Sequence, residues 1–273
     1  MPNKWISIAA ALAALFVGPL ALLAQPKAAS GTPATAAKPQ TNIAIPDLSG
    51  NWAAAPHESN NTFSLTDPTG AKVGTPEDDT PYQPWALAKL KNERPEAGRN
   101  STFLNTTDPR VKYCDPVGIP RIFLIPNQFK FVQTPDLVYI LFEYSNVWYP
   151  IAMNKPHSAD PDPSWWGESV GHYEGDTLVV DSIGFNDKTW LDRVGRPHSE
   201  DLHLVERFKR VNHDSLQLDV TFDDLKAYTK VWTGRRMFAL STTPFEDRSC
   251  SMSEYEHFKE TVIDPVVAPS GNK

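Results

Sequence analysis

Two cysteines in 273 residues, Cys114 and Cys250, leave no CxxC pair, so thioredoxin-like redox chemistry is not expected. The seven histidines, at 57, 157, 172, 198, 203, 213 and 257, form neither HxH nor HExxH. No metal is therefore expected. There is also no phosphate-binding loop or Rossmann fingerprint, so ATP and nicotinamide chemistry are not expected, and neither is a cofactor. Positive charge is in deficit: the formal net charge is −7, and losing Lys4 and Lys27 takes it to −9. Such a surface argues against nucleic acid and against anionic membrane as a partner.

Ahead of the globular part stands one long apolar run. After Lys4 it extends from Trp5 to Ala24, broken only by Ser7, Gly18 and Pro19. This has the form of a secretory signal peptide over 1–24, cut after Ala24 or, at the small-x-small site Ala28-Ala29-Ser30, after Ser30. About 20 apolar residues would also suffice for an uncleaved anchor, but Gly18-Pro19 and the Ala-rich exit favour cleavage. A periplasmic or secreted protein with no stable membrane anchor is the expectation. The Pro/Ala/Thr tract over 25–44 has nothing to bury and reads as a flexible linker. In an oxidising compartment Cys114 and Cys250 are expected to form one disulfide.

A single β domain is expected over 45–263, with a disordered tail over 264–273. Its first part, 45–128, is rich in Pro, Asn, Thr and Asp, and reads as a wrapping arm with one helix opening at Pro84, where a missing N–H costs nothing. From Phe129 onward come FKFVQT, LVYILFEY, VWYPIAM, ESVGHY, TLVVDSIGF, LHLVERFKRV, SLQLDVTF and KVWTGRRMFAL, each short and apolar or alternating. Turns at Thr134-Pro135-Asp136, Glu174-Gly175-Asp176 and Asn212-His213-Asp214 predict hairpins. Eight strands in an antiparallel meander leave exposed edges unless the sheet closes, so a barrel or strongly curled sheet is favoured.

Gly50-Asn51-Trp52 resembles the Gly-x-Trp signature of lipocalins, in which the tryptophan plugs the barrel floor and a late arginine packs over it. The resemblance implies a calycin-like barrel holding a small ligand, with Arg235 or Arg236 as that arginine; the lipocalin Thr-Asp-Tyr element is missing. The phrases EGDTLVVDSIGFNDKTWLDRVGRPHSE and DVTFDDLKAYTKVW resemble those of a family of exported bacterial proteins of unassigned function, and that resemblance reaches from about Cys114 to the last strand. Asn154-Lys155-Pro156-His157 and Ser251 to Glu256 depart from the family pattern.

Chemistry concentrates in the loop 186–201. His198 with Asp187 or Asp192 has the composition of an acid–base pair, Arg193 would orient an anion and Trp190 would form a wall. The structural alternative makes the aspartates caps and the arginine their partner. On LHLVERFKRV, alternation puts Glu206 on the apolar face with Leu202, Leu204 and Phe208, where it is either a ligand contact or a buried polar brace. Glu143 carries the same two readings. Tyr144, Trp148, Trp190 and Trp232, with Glu143 and Glu206, are the expected ligand contacts, in an aromatic-rich setting suited to a small apolar or aromatic molecule. The leading expectation is a ligand-binding barrel. Its competitors are a cofactor-free hydrolase, lyase or isomerase using His198, and an envelope interaction protein with an exposed apolar patch.

Overall fold

The computed structural model describes residues 45–56, 64–65, 80–93, 107–246 and 248, all within the unit Ile43–Lys273. The predicted leader, linker and tail, and Cys250, lie outside the described residues.

The chain is mainly β and closes into a barrel. Strands β1 (Asn51–Ala54), β2 (Ser64–Leu65), β3 (Phe129–Gln133), β4 (Leu137–Phe142), β5 (Trp148–Met153), β6 (Glu168–Glu174), β7 (Thr177–Ile183), β8 (His203–Asn212), β9 (Ser215–Asp223) and β10 (Trp232–Ser241) form one sheet. β1 pairs with β3 on one side and β10 on the other, so β1 and β3–β10 make a nine-strand ring, with β2 added against β10. The eight runs read from sequence are β3–β10, and all three predicted hairpins are present. Helices α1 (Pro84–Glu93) and α2 (Pro109–Tyr113) lie outside the ring order.

Two expectations need correction. The meander is not wholly antiparallel: β5 and β6 pair in parallel at Ala152↔Val170 and Met153↔Gly171, and residues 154–167 return the chain to the other end of the barrel. Parallel neighbours require such a crossover, which a hairpin reading could not supply. Nor does the region 45–128 only wrap. It contributes β1, without which the barrel would stay open, and it runs on into a buried segment, Val117–Leu124, ending in a 3-10 turn (Arg121–Leu124). The Phe123 ring lies 5.2 Å from Phe129, 5.2 Å from Phe142, 5.3 Å from Phe208 and 6.5 Å from Phe238. Those partners come from β3, β4, β8 and β10, on different walls of the ring, so Phe123 fills the lumen at that level. Gly118, at φ +69°, permits the approach: a Cβ there would stand 2.7 Å from the Trp165 carbonyl oxygen and 2.8 Å from Thr189 Cγ2.

Trp52 is fully buried on β1 and donates from Nε1 to the Leu48 carbonyl at 2.9 Å. The arginine over its ring is neither Arg235 nor Arg236. It is Arg210 of β8, 5.2 Å from the ring centroid and anchored on the carbonyls of Asp47, Ser49 and His213. Arg235 points outward to Asp219, and Arg236 is buried on the inward face of β10.

Candidate functional site

Alternation along four neighbouring strands sends one polar side chain from each into the lumen. Tyr149 of β5, Ser169 of β6, Ser182 of β7 and Glu206 of β8 all occupy buried positions of their strands' patterns. The Tyr149 hydroxyl lies 2.7 Å from Ser169 Oγ and 2.9 Å from Ser182 Oγ, and donates to Glu206 Oε2 at 3.1 Å. The two serines are themselves 2.7 Å apart. Register explains the cluster: Ser169 faces Ser182 across β6–β7, and Glu206 faces Val180, one inward position along β7. Trp166, at the end of the crossover, packs 6.4 Å from the Tyr149 ring.

Burial dominates the electrostatics. It pushes the Glu206 carboxyl up to about 8, so the group is a neutral acid at pH 7. Burial, reinforced by Glu206, also pushes the Tyr149 phenol well above its ordinary value. Among the described residues, Glu206 Oε1 has no hydrogen-bond partner. The same is true of Trp232 Nε1, on the inward face of β10, whose ring stacks on Phe222 at 3.9 Å and 7°. Unsatisfied buried polar atoms are rare in folded proteins and call for an explanation.

The 184–202 loop is organised differently from the acid–base reading. His198 is buried, with Nε2 2.7 Å from the Thr189 hydroxyl and Nδ1 3.0 Å from the Ser199 carbonyl. The carbonyl can only accept, so Nδ1 carries the proton and Nε2 accepts from Thr189. Burial lowers its pKa and keeps the ring neutral. Asp192 is bonded to Arg196, not His198, and accepts from the Val194 amide at 3.0 Å. Burial works against both charges of that pair, raising Asp192 and lowering Arg196. Arg196 also donates to Tyr82 Oη, and the Tyr228 hydroxyl donates to the Pro197 carbonyl. Asp187 and Arg193 are exposed.

Of the expected ligand contacts, Glu206 and Trp232 face the lumen. Trp190 is buried at the loop, 5.2 Å from the Arg121 guanidinium, which is paired with Asp108. Glu143 is buried but occupied, accepting from the amides of Gln128 at 3.0 Å and Glu246 at 2.9 Å. Burial works to raise its pKa; those amides, with Asn127, hold it below the ordinary value. Tyr144 is half-buried beneath Arg110, and Trp148 is 59% exposed on the outer face of β5. Ser169 and Ser182 were not anticipated: Ser182 shares strand parity with Val180 and Leu178, and Ser169 stands in a G-x-S-x-G string, Gly167 to Gly171, whose serine lies inside β6 and not at a strand-to-helix turn.

Fold and site together define a closed mixed β-barrel with a buried polar cluster in an apolar, aromatic-rich lumen. No protein-family model matches the chain, and no curated protein is significantly similar to it.

Proposed function

We propose that the protein is an exported binding barrel, periplasmic or secreted, that holds a small, largely apolar or aromatic molecule in its lumen, and that it belongs with the exported bacterial proteins its long loop phrase resembles. The observation that carries the binding reading is Glu206 Oε1, a buried polar atom on the inward face with no hydrogen-bond partner among the described residues, beside Tyr149. Leaving such a group unmatched costs about 1–3 kcal/mol, a cost that a bound molecule's hydrogen bond would relieve. The aromatic surroundings supply apolar contact for the remainder of the ligand.

Native mass spectrometry of the mature protein purified from its own envelope, followed by gentle denaturation, tests the reading. A reproducible small organic mass released on denaturation is expected, with reduced retention in Glu206→Leu. An empty wild-type protein, pure and folded, would count against it.

A further inference from the structure

We infer that the lumen's ligand is an uncharged molecule presenting hydrogen-bond acceptors, of the aromatic ketone or quinone class, which Glu206 and Trp232 meet as donors. The inference rests on the binding reading above and narrows its chemistry. An indole Nε1–H can only donate, and that of Trp232 is buried with no hydrogen-bond partner among the described residues. Its ring is held by the Phe222 stack and by Tyr228, 5.3 Å away edge-on, so the donor's direction is fixed. Glu206 supplies the second donor. Its Oε2 accepts the Tyr149 hydrogen, which places the acid proton on Oε1, the oxygen left unmatched. The row containing Glu206 continues through Val220 of β9 to Gly234 of β10, two residues beyond Trp232. The two donors thus stand two strands and one inward row apart on one curved wall.

Charged ligands fit this wall poorly. An ammonium would require Glu206 to ionise in a setting where no basic side chain assists it, and the two serines already bond each other and Tyr149. A carboxylate would face the Glu206 acid and the Trp232 indole. The inward-facing Arg236 is engaged with partners of its own, and Arg196, 5.8 Å over the Trp232 ring, is committed to Asp192 and Tyr82. A ketone or quinone oxygen needs only a donor, and its flat ring matches the aromatic lining.

The test is calorimetric titration of the mature protein with four probes built on one naphthalene frame: 2-acetylnaphthalene, naphthalene, 2-naphthoate and 1-(2-naphthyl)ethylamine. The ketone is expected to bind at least about tenfold tighter than the other three. Glu206→Leu should erase most of that margin, Glu206→Gln should keep it because the amide still donates, and Trp232→Phe should reduce it while preserving the stack. Preferred binding of the amine or the carboxylate would overturn the inference. Equal binding of ketone and naphthalene, or a ketone margin indifferent to both Glu206→Leu and Trp232→Phe, would overturn it while leaving lumen binding intact. Binding of none of the four by folded wild type would overturn the inference together with the lumen reading.

Discussion

Glu206 carries a cost that depends on pH. Its pKa is about 8 in the fold, raised by burial, against about 4.3 in an unfolded chain. Between those values the folded protein holds a proton that the unfolded chain has released, so the sign is fixed: stability falls as pH rises through that window and levels off above about 8. The slope from this group approaches about 1.4 kcal/mol per pH unit. Denaturant melts of wild type and Glu206→Gln from pH 5 to 9 measure it, and the two curves should converge toward low pH and separate toward pH 8. Parallel curves would show that the carboxyl is not buried as described. His198 makes the complementary residue-scale case. With Nδ1 on the Ser199 carbonyl and Nε2 on Thr189, it ties the 184–202 loop rather than standing ready for proton transfer. His198→Ala is therefore expected to cost about 2–4 kcal/mol through the cavity and the stranded Thr189 hydroxyl, while binding of 2-acetylnaphthalene by the folded fraction changes little. The sequence showed a histidine among carboxylates. It could not show that Asp192 would be taken by Arg196, since that contact depends on how the loop turns.

At the scale of elements, the 3-10 turn at Arg121–Leu124 matters more than its length suggests, because Phe123 meets rings from four strands. Phe123→Ala is expected to destabilise by about 3–5 kcal/mol, and the loss should appear cooperatively in β3, β4, β8 and β10 by hydrogen exchange. Protection lost only near residue 123 would show that the turn does not brace the barrel. The strands themselves were legible: β8 reads HLVERFKRVN, and its period of two put Leu204, Glu206 and Phe208 on the buried face, where they lie. The plug was not legible, since Val117–Leu124 has neither strand nor helix period and is buried by what surrounds it. The crossover 154–167 was equally obscure. Its docking depends on His157, whose ring nitrogens reach Glu168 Oε1 at 3.1 Å and Asp181 Oδ1 at 2.9 Å, across strands whose neighbourhood only the parallel pairing establishes.

For the molecule as a whole, closure by β1 joins the start of the described chain to its end, and the expected Cys114–Cys250 bridge would reinforce the same joining. Cys114 caps α2 in the left-handed conformation at φ 53°. Arg110 of α2 lies over Tyr144 at 5.5 Å, and Ser145, the next residue, donates its amide to the Arg248 carbonyl at 2.5 Å. The β4–β5 turn thus brings α2 and residue 248 to one place, four residues before Cys114 in one case and two before Cys250 in the other. A bridge across so long a loop removes unfolded-state freedom worth about 4–5 kcal/mol in the chain-entropy model. The prediction follows that unreduced protein, unfolded in denaturant, takes up no thiol label, that reduced protein takes up two, and that Cys114→Ser lowers the denaturant midpoint as reduction does. Labelling of both cysteines without reductant would leave β1 and the Phe123 plug to hold the two ends of the domain unaided, and Phe123→Ala should then unfold it outright.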